Sequence, residues 1–474
     1  MTDRDHSPVS FRDPAAVLVH ADQRLFRLVR PPAAAAFAAM LERPSVKRRM
    51  DSGSIVRTWP VAAGGLPPTL AGIDGVVFEH ERIPFVSAPC EWTPEMLAAA
   101  GRLTLEVGSE LLGDGLQLKD ATPGNVLFRG PEPVFVDLPS IVPREAGACL
   151  WIARHQFETT FLLPLIASAE AGLPLAWTLS HAPSGLSHEM LARILGWRRW
   201  SRPRLIGTVA LPAALGSRSI AAADGPREMK SKNDRQALFI LHRAFRGLMR
   251  TLERWATAVR SGDSHWHGYT SSRSHYQATD LEAKKAFVAA AIDELDPDTV
   301  LDVGANTGEF SELAARRARV VALDVDERSV AAIFQRAREK HLPILPLVGN
   351  FGRPTPGLGW RNLEIPSFLD RARGCFDLVL LLAVVHHLRV TEGIPLDALF
   401  DEVAAIARGH VIVEFVPVGD PMFRALARGR ESLYTDCSRP GFEAALSRRF
   451  SITRNVDLPN GRALYLARRR TEGG

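Results

Sequence analysis

The chain has 474 residues, too long for one ordinary domain, and two or three domains are expected. Hydrophobic residues make up 46% of it, which suits a globular protein with a sizeable core, and the apolar run from Phe161 to Trp177 is too short and interrupted to span a membrane. The formal charge of +5 permits an anionic partner, but no basic run with interleaved aromatics marks a nucleic-acid surface, so nucleic acid is not expected as a partner. The N-terminus carries no basic region leading into an apolar stretch, and Cys90, Cys149, Cys375 and Cys437 lie far apart without a Cys-x-x-Cys pair. Both features fit a reducing cytoplasm, and neither points to a metal site. In chain order, Ala15–Val19 and Leu25–Val29 predict a hairpin turning at Ala21-Asp22-Gln23, and an alanine-rich segment follows from Ala33 to Ala39. Ile83-Pro84-Phe85-Val86 predicts a short strand. Thr93 and Pro94 then suit the cap and first turn of a helix running to about Leu112.

The stretch Leu116-Gln117-Leu118-Lys119-Asp120-Ala121-Thr122-Pro123-Gly124-Asn125 precedes a strand pair, and the second strand closes at Asp137. This order of Asp120, Asn125 and Asp137 resembles the catalytic core of kinase-like phosphotransferases. The resemblance implies that Asp120 takes the acceptor proton and that Asn125 and Asp137 hold Mg²⁺. The chain departs from that pattern at Leu118 and Lys119 and in Leu138-Pro139-Ser140, and no glycine-rich phosphate loop precedes it. The plain alternative is that Asp120 and Asn125 close a turn and Asp137 ends a strand.

Residues 150–212 read as helical. Trp197 and Trp200 with their neighbouring arginines form either a binding surface or a solvated basic face. From Gly216 to Gln236 the chain becomes polar, as a linker would. Leu238, Leu241, Phe245, Leu248, Leu252, Trp255 and Val259 then recur at alternating spacings of three and four, the single apolar seam of a long helix that packs on a neighbouring domain or pairs with a second copy. His265-Trp266-His267-Gly268-Tyr269 and Ser274-His275-Tyr276 make an aromatic segment; the two histidines lack a third ligand for zinc.

The most informative stretch is Thr299-Val300-Leu301-Asp302-Val303-Gly304-Ala305-Asn306-Thr307-Gly308. A buried strand runs into a glycine turn and then a helix, the first unit of a doubly wound α/β sheet, whose ligands sit at the strands' carboxyl ends. The Gly-x-Gly-x-x-Gly spacing of a dinucleotide site is absent, because Asn306 and Glu309 stand where glycines are needed. Asp302 would repel a pyrophosphate and would welcome a cationic amino-acid end. A second strand, Val320–Asp324, ends in an acid placed to meet ribose hydroxyls. Together these residues resemble class I S-adenosylmethionine (SAM)-dependent methyltransferases. The resemblance implies a Rossmann-like, mostly parallel seven-stranded sheet. It implies SAM as cofactor, with Asp302, Gly304, Asn306, Gly308 and Asp324 at the SAM site, and a residue 265–276 segment folded over it.

Asp280 is expected to cap the helix before this strand, and Asp326 the helix after Asp324. A third strand closes at Gly349-Asn350, where the amide either reads the adenine edge or simply makes the turn. A fourth apolar run from Phe376 predicts one strand delivering His386 and His387 to the cleft at its carboxyl end. One of them, by preference His387, suits a general base for methyl transfer, and a structural histidine is the alternative. Glu414 sits in the apolar fifth strand and needs a partner or a ligand. Asn460-Gly461 joins a closing hairpin. The chain lacks the Asn/Asp-Pro-Pro-Tyr signature of amide and adenine N-methylation.

Glu91-Trp92, Leu118-Lys119-Asp120-Ala121, His386-His387-Leu388 and Glu414-Phe415-Val416-Pro417 with Asp420-Pro421-Met422 resemble bacterial nodulation-protein-type methyltransferases across nearly the whole chain. That resemblance implies a small-molecule or carbohydrate-type acceptor, O- or N-methylated, with a non-catalytic SAM-binding scaffold as the alternative. The expected organisation is an α+β, kinase-like N-terminal domain over 1–215, a linker with the amphipathic helix and aromatic segment over 216–278, and the methyltransferase domain over 279–474.

Overall fold

The computed structural model describes residues 13–470 apart from 71, 73, 183, 220–229 and 261–277. The aromatic segment at 265–276 therefore lies outside the described residues. The chain divides into two compact units, one comprising Met1–Gly262 with Leu358–Ile365, the other Asp263–Gly357 with Pro366–Gly474.

The first unit begins with the expected hairpin, β1 (Ala16–Ala21) against β2 (Arg24–Val29). Asp22 and Gln23 both take positive φ, 50° and 60°, the twist that a two-residue hairpin loop requires. With β3 (Thr58–Pro60) and β4 (Val76–His80) they form an antiparallel sheet in the order β1-β2-β4-β3. One face buries Val17, Val19, Phe26, Leu28, Leu70 and Val77 together. The segment Ile83–Val86 is not a strand. Pro84 offers no N–H to a ladder, so alternation of buried and exposed side chains does not suffice there.

Thr93 caps the helix Pro94–Leu111 by accepting from the Met96 amide. This helix is buried on most of its surface and packs against the long helix Asp234–Arg260. The contact is close because Gly101 and Gly108 face it: a β-carbon at Gly108 would lie 2.9 Å from the Phe245 ring, and one at Gly101 3.3 Å from Leu252. The seam read from the sequence is thus the buried face, with Leu241, Phe245, Leu248, Leu252 and Trp255 all inside. Asp234, expected within a linker, instead starts this helix and is pinned by the Arg144 guanidinium at 2.6 Å and the Gly147 amide at 2.8 Å. Four short strands complete the unit as two small antiparallel pairs: β5 (Leu116–Leu118) with β8 (Ile141–Pro143), and β6 (Val126–Arg129) with β7 (Glu132–Phe135).

The second unit is built on β9 (Thr299–Val303), β10 (Arg319–Asp324), β11 (Ile344–Val348), β12 (Phe376–Leu381), β13 (Ala407–Phe415), β14 (Phe450–Asp457) and β15 (Ala463–Arg469). They form one sheet in the order β11-β10-β9-β12-β13-β15-β14, with the first five parallel and the closing pair antiparallel. This is the Rossmann-like arrangement that the resemblance implied. Val300, Leu378, Leu380 and Ile412 of the central strands are buried in a core shared with Val288 and Ile292 of the helix Ala278–Leu295. Strand order reverses between β9 and β12, and the crevice above that switch point is where such a sheet binds its ligand.

One expectation is corrected. The fourth strand does not run on to the histidines; it ends at Leu381. Ala383 adopts a positive φ of 56°, which turns the chain out of the sheet, and Val385–Val390 is a helix carrying His386 and His387. A continuous apolar run does not reveal its own end, because strand and buried helix read alike in it.

Candidate active site

The turn after β9 is shaped by its two glycines. Gly304 has φ 73° and a β-carbon there would lie 3.2 Å from Val384; Gly308 has φ 80° and a β-carbon would lie 2.7 Å from Ile333. Both positions thus require glycine on conformation and on space. Gly304 and Ala305 donate to the Leu323 carbonyl at 2.9 and 3.1 Å, which ties the turn to the end of β10. Asp324 completes the tie by accepting from the Asn306 amide at 2.6 Å and from the Asp326 amide at 2.9 Å. Asp326 in turn caps the next helix, as expected, accepting from Arg328 and Ser329.

Asp302 lies beneath this turn, buried, and its carboxylate accepts from the Ser311 hydroxyl at 2.6 Å. Burial pushes its pKa up to about 6, with the Ser311 hydrogen bond and the Lys284 ammonium opposing and Asp324 assisting. Burial likewise raises Asp324, against the pull of its amide donors. Two acids held above their ordinary range at adjoining strand ends suit a cationic and hydroxyl-bearing ligand.

Asn350 is committed to its own turn. Its Oδ1 accepts from Gly352 at 2.7 Å and Arg353 at 3.2 Å, and its Nδ2 donates to Glu392 at 2.8 Å. The turn-forming alternative describes this side chain.

His386 and His387 stand beyond β12 with ring centroids 4.4 Å apart. His386 is buried, stacked 6.5 Å from Phe423, and its Nδ1 has no hydrogen-bond partner among the described residues. His387 is half-buried. Burial lowers the pKa of both; for His386 the His387, Arg462 and Lys284 charges add to it, and for His387 the Arg462 charge does. Both imidazoles are therefore neutral at neutral pH and able to accept a proton.

The partner that Glu414 needed is a buried ion network that sequence reading missed. Glu414, fully buried near the end of β13, bonds Lys284 Nζ at 2.5 Å and Arg462 Nη1 at 3.2 Å. Arg462 also donates from Nε to Asp420 at 2.8 Å and from Nη2 at 3.2 Å. Lys284 lies 5.0 Å over the Phe310 ring. The available signal was Lys284 itself, a cation one turn before Phe287 and Val288 on the inward face of its helix. Asp280 on the same helix is buried within its first turn, not ahead of it.

In the first unit Asp120, Asn125 and Asp137 come together around one turn. Asn125 Nδ2 donates to the Asp120 carbonyl at 3.2 Å, and Thr122 donates to Asn125 Oδ1 at 3.1 Å. Burial raises the Asp137 pKa, with Asp120 assisting and Arg27 and Lys119 opposing. Arg27 is buried on β2 and donates to His80 at 3.1 Å, an imidazole that burial and Arg27 push down to about 3. Among the described residues no three His, Cys, Asp or Glu side chains are gathered so as to hold a metal ion.

Residues 301–410 match the family model described as a methyltransferase domain. The chain is 30% identical over 466 residues to the nodulation protein NoeA of Rhizobium meliloti (strain 1021), covering 96% of this chain and 94% of that protein. Among solved structures, the N-methyltransferase NodS from Bradyrhizobium japonicum WM9 is 14% identical with a TM-score of 0.31, covering 41% of this chain and 99% of NodS. The bifunctional kinase-methyltransferase WbdD is 18% identical with a TM-score of 0.31, covering 43% of this chain and 42% of WbdD. At such scores neither structural likeness bears on what the chain does.

Proposed function

The chain belongs to the family of the nodulation protein NoeA and is a SAM-dependent methyltransferase, and from that premise we propose that its second unit methylates an oxygen or nitrogen of a small-molecule or carbohydrate-type acceptor, with His387 as the base. Bound SAM supplies an electrophilic methyl group on a sulfonium. The residues present fit that cofactor: the turn at Gly304 and Gly308 lets backbone approach a ligand, and the buried Asp302 and half-buried Asp324 match its ammonium and ribose hydroxyls. Asn306 joins them through the hydrogen bond that its backbone N–H donates to Asp324.

His387 carries the proposal because it combines partial exposure with a lowered pKa. A neutral imidazole there would take the acceptor's proton as the acceptor atom bonds to the methyl carbon and the methyl–sulfur bond breaks. His386, buried with its ring 6.5 Å from that of Phe423, is the second candidate. Replacing His387 by Gln tests this with tritiated SAM and a small-molecule extract of the native cell. Turnover is expected to fall roughly 100-fold or more, the usual worth of a positioned base, with SAM affinity unchanged. Turnover equal to the parent chain would reject His387, and a loss confined to His386→Gln would transfer the role.

A second reading concerns the first unit. It is supported by the convergence of Asp120, Asn125 and Asp137 on one turn, with the Asp137 carboxyl raised by burial. In that reading the unit is a kinase-like nucleotide-binding module. Mg-ATP would raise the melting temperature of the full chain but not of Asp137→Ala; the absence of any ATP effect would reject it.

A further inference from the structure

The first unit carries an outward apolar face that neither reading uses. The helix His188–Leu195 turns Leu191, Ala192 and Leu195 inward and leaves Met190 and Ile194 exposed one turn apart. The helix Leu211–Ser219 packs against it and likewise exposes Leu211 and Leu215, also one turn apart. Between them the chain presents Trp197 and Trp200, 74% and 52% exposed. Scattered exposed apolar residues are ordinary, but large ones repeating along two adjoining helices and their connection mark an interaction surface.

The charge along this stretch is mostly positive. From 189 to 215 the sequence has five arginines and a single acid, Glu189. Arg202 and Arg204 are paired with the buried Glu170. Arg193 and Arg198 are exposed beside the tryptophans. Arg199 bonds the Ala192 and Gly196 carbonyls and lies 5.4 Å from the Trp200 ring. Indole rings flanked by guanidinium groups, over an aliphatic stripe, match the layering of a bilayer surface: anionic headgroups outside and acyl chains beneath. No described helix is long and apolar enough to cross a membrane, so the contact would be peripheral.

We propose that the face formed by the helices His188–Leu195 and Leu211–Ser219 docks the protein on an anionic lipid bilayer, with Trp197 and Trp200 inserted at the headgroup level. The residues of this face belong to the first unit and the methyl-transfer residues to the second, so the inference does not depend on them.

Co-sedimentation of the full chain tests it, using vesicles of equal parts phosphatidylcholine and phosphatidylglycerol against vesicles of phosphatidylcholine alone. The protein should pellet with the mixed vesicles, with a blue shift of tryptophan emission, and should be released by high salt. Replacing Arg193 and Arg198 by Gln should weaken binding roughly fivefold per residue. Trp197→Ala with Trp200→Ala should abolish pelleting while SAM affinity, as a control for folding, stays unchanged. Failure to pellet with mixed vesicles would overturn the proposal, as would undiminished pelleting of the double tryptophan variant. A parent chain that is dimeric without lipid, and becomes monomeric when the two tryptophans are replaced, would reassign the face to a second copy of this chain.

Discussion

At the carboxyl ends of β9 and β13 the same sheet buries an acid, and the two are held in opposite ways. Glu414 has two cations within bonding distance, and Arg462 reaches on to Asp420, so the network of four charges is internally matched. Asp302 has a serine hydroxyl and a more distant lysine, and its pKa is driven up to about 6. A buried charge matched within the protein is part of the scaffold, whereas one left short of a counter-charge is available to a ligand.

The largest effect that would break this comparison is at Glu414. Glu414→Ala removes the carboxylate that Lys284 and Arg462 share in the interior, leaving Arg462 its bonds to Asp420, and is expected to destabilise the second unit by about 3–5 kcal/mol, read from urea unfolding. A loss under about 1 kcal/mol would mean that water or relaxation replaces the carboxylate.

Asp302→Asn should act with the opposite sign on stability. It is expected to weaken SAM roughly 10- to 100-fold by calorimetry, the worth of a charged hydrogen bond, while stabilising the free protein by about 1–3 kcal/mol near neutral pH. The sign follows from the raised pKa. The cost of keeping Asp302 ionised grows as pH rises from its unfolded value through about 6, so the stabilisation by Asn appears across that window and vanishes below it. A destabilised variant would place Asp302 with Glu414 as a structural acid.

The same pKa sharpens the comparison through pH alone. SAM affinity should fall by up to about tenfold per unit below pH 6, as a proton must leave Asp302 before it can meet an ammonium group. In Asp302→Asn that dependence should disappear; its persistence would locate the titrating group elsewhere.

The smallest effect is expected where the first unit pairs charges at its surface. Arg102 and Glu253 meet at 2.6 Å between two helices but are partly solvated, and Arg102→Ala should cost no more than about 1 kcal/mol in thermal unfolding. A larger loss would show that the seam through Phe245 and Leu252 depends on this pair for its register.

Much of the glycine turn after β9 was legible because it is local. Asp302, Gly304, Gly308 and Asp324 lie within two strand–turn–helix units, and the glycines are dictated by backbone conformation that the sequence pattern carries. The helix caps at Thr93 and Asp326 were legible for the same reason. The buried ion network was not, because its pieces come from separated segments. The Glu414 network joins residues 130 positions apart to Lys284 and 48 to Arg462. The end of β12 was misread because residue type along Leu381–Val385 is uniformly apolar, and only the positive φ of Ala383 separates strand from helix.

By itself the sequence determined the mostly parallel sheet, its glycine turn and the acids near the ends of its first two strands, since these follow from short-range periodicity and from conformations that favour glycine. Tertiary structure alone decided that Glu414 is matched and Asp302 is not, that His386 is covered by Phe423 while His387 stays half-open, and that Asn350 serves its own turn. Those outcomes depend on which distant side chains share a buried volume. Desolvation and pairing act through space, and spacing along the chain does not encode them.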